Sequence, residues 1–481
     1  MNRRVVPVAS VCLFAAALLR CALGADDALQ NDAREALRRA VGFYAGKVAT
    51  HGGYVYQYSA DLAKSEGEGK TDGDTVWVQP PGTPAIGMAL VEAYKLTGEK
   101  SCLEAAKAAA ESLLQGQLRS GCWNDRVEFD PERRAKFNYR VDPPRKKKPG
   151  FNWSSFDDDK TQSALRFLMR LDQVLSQSDS RLNEAVRLAL DAVCKAQHAN
   201  GGWPQAFEEP APSTDHPELR ASDPAEWSRK YPGGDYWVFY TLNDNAMADT
   251  IATMFLAAEV YGDERYRQAA TCGGEFLLLA RMPEPQPAWA QQYDFEMHPC
   301  WARKFEPPAI TSRESEGAIE ALLRVYEETG DRKFLEPIPR ALEYLQQSLL
   351  PDKQFARFYE LKTNKPLYFT RDYELTYDDS DMPTHYGFKV DNHLAKLTAR
   401  YTKLAKLDQA GLSELRAARR ADKERPKPGE LREVIAGLDV RGAWVEEGRL
   451  RYHGSQDDTT RVIRSATFIK NLAMLSRYIG G

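Results

Sequence analysis

The sequence is short of cysteine and carries no excess of basic charge, and each shortage excludes a class of protein. Seven cysteines in 481 residues show no CxxC pair and no Cys/His metal spacing, which excludes a zinc-type scaffold. A net charge of −4 with pI near 6.1 argues against a dedicated nucleic-acid binder, which would be basic. The N-terminal apolar stretch, Val5 to Leu19, follows Arg3-Arg4 and precedes Ala22-Leu23-Gly24. It is too short and wrongly flanked for a membrane span, and reads as a secretory signal peptide over residues 1–24. Arg20 stands before Cys21, where a lipoprotein signal would have a small residue, so lipidation is not expected. The mature chain is expected to begin near Ala25 and to be secreted or periplasmic. Its five cysteines, Cys102, Cys122, Cys194, Cys272 and Cys300, are an odd number, so at least one stays a thiol. They read mainly as small buried hydrophobes, with at most one bridge expected.

What is present is a repeated helical hairpin. Thr97-Gly98-Glu99, Tyr261-Gly262-Asp263 and Thr329-Gly330-Asp331 each join two helical patterns, and Gln177-Ser178-Asp179 is a weaker copy. Glycine tolerates a left-handed helix end and the acid favours the next helix's N-terminus. The second helices end in aromatic turns, Gly121-Cys122-Trp123, Gly201-Gly202-Trp203 and Ala288-Trp289; Gly52-Gly53-Tyr54 and Gly442-Ala443-Trp444 match them. First helices are expected near Thr83, Asp157, Asn243, Thr311, Asp391 and Asp457. A spacing of roughly 70–85 residues exceeds the short solenoid repeats and predicts an all-α (α/α) toroid of helical hairpins with long loops and short β-like segments. An open α-solenoid is the alternative; the aromatic-rich loops at 117–155, 203–242 and 283–311 favour an enzyme. Residues 408–430 read as a charged helix and connector, so residues 25–481 are expected to form one domain.

Chemistry-bearing residues cluster where first helices begin. Asp244 follows Asn243, its expected cap, and lies one turn before Met247 on the apolar face. Asp157 repeats that placement, and Asp157-Asp158-Asp159 puts three acids together where capping needs fewer. On the residues alone, helix capping and cation binding both remain open. Thr311 and Glu314 read as a capping box. Arg303, in the proline-stiffened loop Trp301 to Pro308, suits a bidentate grip on a carboxylate. The basic run Arg145-Lys146-Lys147-Lys148 reads as a solvated loop.

Five segments, in order over roughly residues 155–390, resemble the family-10 pectate lyases. They are Phe156 to Thr161, Gln197 to Gln205 (with Asn-Gly-Gly-Trp-Pro-Gln), Leu242 to Met247, Ala302 to Glu306, and Phe358 to Asp372. The resemblance implies Ca2+-assisted β-elimination of polygalacturonate, a pectate-type anionic uronate polysaccharide, by a monomeric enzyme. It implies Asp157 and Asp244, with Asp158, as Ca2+ ligands, and Arg303 as the base. It also implies Arg371, Asn243, Trp203 and Lys304 as substrate contacts. Two departures stand out. Asp158 replaces an Asn, and Pro383-Thr384-His385-Tyr386 stands where the family has an Arg-Thr-Gly-Tyr segment, so weaker substrate binding is expected. The alternative readings are a non-catalytic uronate-polysaccharide binder and an (α/α)-toroid glycoside hydrolase using Asp157, Asp244, Glu314 or Glu316 as acid and base.

Overall fold

The computed structural model describes residues 8–144, 150–209, 219–421 and 424–481. The basic run Arg145 to Lys148 and the first seven residues of the expected leader lie outside them, as do the side chains of residues 8–25. The described residues are rich in helix and their strands are short. Contacts gather them into two compact units, one of residues 1–77, 81–112 and 423–481, the other of 78–80 and 113–422. Among the described residues no helix is long and apolar enough to cross a membrane.

The smaller unit packs the helix Ser465–Gly480 against Thr83–Thr97 and against Val8–Phe43. It also holds a five-stranded antiparallel sheet in which Arg461–Arg464 pairs with Gln57–Ser59. The larger unit is a succession of paired helices. Ala246–Tyr261 packs on its hairpin partner Glu264–Ala280, and on Lys160–Val174 and Ser312–Thr329 to either side. Helical hairpins of the (α/α) type are therefore present as expected.

The Gly-acid turns form as the sequence predicts. Gly98, Gly262 and Gly330 are left-handed helix caps with φ of 70°, 67° and 72°. Their N–H groups return to the carbonyls of Tyr94, Ala258 and Tyr326. Asp263 and Asp331 accept a backbone N–H two residues on, so these acids are true N-caps rather than distant dipole partners.

The aromatic turns share a stricter device. Trp123, Trp203 and Trp289 are buried, and their indole N–H groups donate to the carbonyls of Leu113, Val193 and Leu277 at the end of the preceding helix. Trp444 does the same to Val434. Each tryptophan's own carbonyl then accepts from the next inner segment: Trp123 from Ser155 N–H, Trp203 from Thr241 and Trp289 from Thr311, at 2.9–3.0 Å. Trp203, expected to touch substrate, is only 1% exposed; it is a structural anchor, because the indole is spent closing the turn.

All five cysteines are free thiols, so the one bridge allowed for does not form. The first helix expected near Thr83 starts there, and the others start later than expected, at Lys160, Ala246, Ser312, Leu394 and Ser465; short strands or 3-10 turns occupy the residues just before all of these but Leu394.

Gly201, at φ +89°, sits so close to the next helix that a Cβ would lie 2.0 Å from the Cys272 carbonyl oxygen. Gly262 has a similar φ but open space around it. Gly201→Ala should therefore lower stability by roughly 2–4 kcal/mol and Gly262→Ala by only about 1 kcal/mol, since left-handed strain is common to both and the clash is not. Thermal and denaturant unfolding of both variants checks this; equal losses would overturn it.

Candidate active site

The site is built by two copies of one unusual turn in the larger unit. Asp157–Asp159 and Asn243–Asn245 are 3-10 turns that pack together. In the first, Asp158 and Asp159 are left-handed, at φ 48° and 60°; in the second, Asp244 and Asn245 are, also at 48° and 60°. Left-handed backbone costs a non-glycine residue on the order of 1 kcal/mol, and Asp and Asn bear it best. The turns are set by Ser155 and Thr241, each bonded to a tryptophan carbonyl. Counting from those two residues, Asp158, not Asp157, is the twin of Asp244. The helices begin only afterwards, at Lys160 and Ala246. Neither Asp157 nor Asp244 is a helix cap, which removes the capping explanation left open by the sequence.

One carboxylate oxygen from each of Asp157, Asp158 and Asp244 lies within 4.8 Å of the others. Three hard oxygen donors at this spacing suit a divalent cation such as Ca2+, with substrate and water completing the shell. Asn243, buried, donates its amide to Asp244 Oδ2 at 2.7 Å and holds that carboxylate in place. Asp159 turns elsewhere, to Arg166 at 2.5 Å. Lys160 is buried, with Nζ 3.1 Å from Asp157 Oδ2. A protein ammonium thus already occupies part of the field that a metal would fill.

Arg357 is the residue that the sequence reading missed. It lies between the short strands Phe355–Ala356 and Phe358–Tyr359, its backbone tied to Ser312 and Phe388. Its Nη2 is 2.9 Å from Glu314 Oε1 and 3.9 Å from Asp244 Oδ1. The expected Thr311–Glu314 capping box does not form, because Thr311 makes no side-chain cap and Glu314 is drawn to this guanidinium. Among the described residues, Glu314 Oε2 and Arg357 Nε are buried with no hydrogen-bond partner, a costly state in a finished core. The Phe-Ala-Arg-Phe-Tyr-Glu run at 355–360 was the available signal; the resemblance was read from Phe358, one residue too late.

Arg303 is gripped in both directions by Glu306, which is fully buried: Nε to Oε2 at 2.8 Å and Nη2 to Oε1 at 2.5 Å. Burial pulls the guanidinium's pKa down, but the Glu306 pair outweighs it and holds the group above the ordinary arginine value. The Tyr386 hydroxyl donates to Glu306 Oε1 at 3.0 Å, and its ring lies 4.6 Å from Arg357 Cζ and 5.6 Å from Arg303 Cζ. Tyr386 therefore joins the two arginines. Lys304 is exposed, its Nζ 3.5 Å from the Tyr373 ring centroid. Arg371, expected to converge with the acids, is 70% exposed and paired with Asp381, while Arg357 comes within 3.9 Å of Asp244.

Burial first, then the charges of Asp158, Asp157 and Glu314, push Asp244 up to about 7 from its ordinary 3.8, against the pull of Arg357. A carboxyl whose folded pKa is raised favours folding while protonated, so that stability should decline as pH rises from about 4 to about 7 when no cation is bound. Added Ca2+ should raise the melting temperature more at about pH 8 than at about pH 5, because it binds the ionised cluster. Replacing Lys160 by Met should tighten Ca2+ binding by roughly tenfold, since a competing charge leaves the ligand. Calorimetric titration reads this directly, and unchanged or weaker affinity would sink it.

The family model described as pectic acid lyase matches residues 132–331. No curated protein matches the chain. Among solved structures, a family 10 polysaccharide lyase from Cellvibrio cellulosa is 21% identical at a TM-score of 0.45, covering 62% of this chain and 92% of that one. A mutant of the Cellvibrio cellulosa family 10 lyase in complex with trigalacturonic acid is 19% identical at 0.46, covering 67% and 98%. An α-mannanase from Bacteroides thetaiotaomicron is 11% identical at 0.41, covering 94% and 95%. The stretch matched by the pectic acid lyase model, residues 132–331, is the one that carries Asp157, Asp158, Asp244 and Arg303.

Proposed function

We propose that the chain is an exported pectate lyase that cleaves polygalacturonate by Ca2+-assisted β-elimination. The observation that carries this reading is the meeting of Asp157, Asp158 and Asp244 beside the paired cations Arg357 and Arg303, whose mutual field reaches Asp244. Elimination removes the C5 proton of a uronate and expels the O4 oxygen. That proton is acidic only when the adjoining carboxylate is neutralised. Asp157, Asp158 and Asp244 would hold Ca2+, which when bound would supply the larger part of that neutralisation. Arg357, fixed by Glu314, adds a positive charge on the same side. Arg303 takes the C5 proton in this scheme: Glu306 grips Nε and Nη2, which leaves Nη1 for the substrate.

The arginine base sets the pH requirement. A guanidinium held above its ordinary value yields a neutral base only in alkali, or when substrate loosens the Glu306 grip. The hydrolase reading is disfavoured because its other carboxylates are engaged, Glu314 with Arg357 and Glu316 with His393.

Incubation with polygalacturonate should release a product with the ultraviolet absorbance of an unsaturated uronate, and chelation should abolish it. Arg303→Ala should lower kcat by at least about a hundredfold with the fold intact. Asp244→Ala should raise the Ca2+ concentration needed and lower turnover together. Glu306→Gln should move the alkaline limb of the pH–rate profile to lower pH, because losing the carboxylate lowers the pKa of Arg303. A saturated product identifies a hydrolase, binding without any product a non-catalytic binder. An unshifted profile in Glu306→Gln would remove Arg303 as the base.

A further inference from the structure

A second cavity adjoins the acid cluster and has the opposite chemistry to a uronate clamp. It encloses about 350 Å³, within the small-ligand range of about 300–1,000 Å³. Trp227, Tyr236 and Trp301 give it aromatic walls, and Glu226, Asp235 and Asp294 are its acids. Among the described residues no lysine or arginine lines it, and His298 is the one lining group able to become a cation. The walls are tied down: the Trp301 indole donates to the Ser228 carbonyl at 2.8 Å. Asp294 Oδ1 accepts the backbone N–H groups of Glu296 and His298 at 3.0 and 2.9 Å.

Its walls run directly into the site described above. Trp301 is two residues before Arg303. The Tyr236–Val238 turn leads through the strand Tyr240–Thr241 to Asn243 and Asp244. Tyr236 itself lies in the electrostatic field of Arg303, Glu306 and Asp157. A polymer seated at the acid cluster would therefore enter this cavity with a neighbouring sugar. Aromatic faces pack against the C–H faces of a pyranose and carboxylates accept its hydroxyls. A ring carrying its own carboxylate would face three acids with no lysine or arginine among the lining residues, since Arg229, which lies over the Trp227 ring, is already paired with Glu360.

We propose that this cavity is a subsite for an uncharged pyranose of the same polysaccharide, a methyl-esterified uronate or a neutral sugar, next to the charged residue at the acid cluster. The proposal rests on reading that cluster as a uronate site.

The test is binding, measured by calorimetry on the full chain in chelator, so that it does not depend on turnover. The probes are trigalacturonate, its fully methyl-esterified form, and galactotriose. An uncharged probe should bind at least about tenfold more tightly than the free acid. Tight binding of the ester alone identifies an esterified uronate as occupant, and of galactotriose a neutral sugar. The acid cluster also repels the free acid, so the decisive arm is the double variant Glu226→Lys with Asp235→Lys, both exposed positions. It should reverse the preference, and Trp227→Ala should weaken the uncharged probe about tenfold. An unchanged preference in the lysine variant, or an uncharged probe binding no better than the acid, would overturn the proposal. Unsaturated product formed without this preference removes the subsite and leaves the lyase reading standing. The preference without unsaturated product does the reverse.

Discussion

A tryptophan carbonyl holds each acid-bearing turn of the candidate site in place. The chain closes a helix with a turn whose indole is bonded inward, and the same residue's carbonyl then receives the strand that leads to the next helix. Trp123 receives Ser155 and Trp203 receives Thr241, and two residues on from each begins a left-handed acid turn. The turn can approach its neighbour only because its glycine has no Cβ: at Gly121 a Cβ would meet the Ala192 side chain at 2.4 Å, at Gly201 the Cys272 carbonyl at 2.0 Å. Close helix-to-turn contact at these two points sets where Asp158 and Asp244 face one another. A shift of one helix against the next would separate them, so packing in the hairpins and geometry in the site are one constraint.

What that constraint brings together is electrostatically unfavourable. Asp157, Asp158, Asp244 and Glu314 share a half-buried region, and their repulsion is legible in the raised pKa of Asp244. The chain offsets part of it with its own cations, Lys160 on Asp157 and Arg357 on Glu314. It also leaves polar atoms of Arg357 and Glu314 without hydrogen-bond partners among the described residues. Like charges, left-handed acids and orphaned polar atoms are each destabilising, and their coincidence at one place is what a functional site looks like in physical terms.

Much of this was legible in the sequence, and the limits follow from the kind of signal. Gly98, Gly262 and Gly330 are local: a helix end needs a left-handed residue, and the glycine reports it. Asp157 and Asp244 were found because they stand where apolar periodicity begins. The pairing of Asp158 with Asp244 was not, because periodicity measures from the helix while the turn is registered from the strand before it. Trp203 looked like a contact because aromatic residues near a site often are; its burial depends on a carbonyl ten residues upstream. Arg357 went unread for a related reason. It lies in a β-like segment with aromatic neighbours, and the strand pairing of Phe358 with Thr311 is what brings it to Glu314.

The two arginines left in the site divide the work by their partners. Arg357 faces Glu314 and Asp244, so its charge is already committed to the acid side and serves to fix and partly neutralise it. Arg303 is bonded to Glu306, in a pair joined by Tyr386. A guanidinium bound so fully is poorly placed to lose a proton, yet very well placed to keep one orientation. In the proposed scheme the Glu306 pair must be weakened on substrate binding, and a cation arriving with the substrate would lower the pKa of Arg303, whereas the substrate carboxylate alone would raise it. Separately, each is a strained or over-stabilised arrangement; in the proposed scheme a cation bound between them would relieve the repulsion of the acids and lower the pKa of the arginine together.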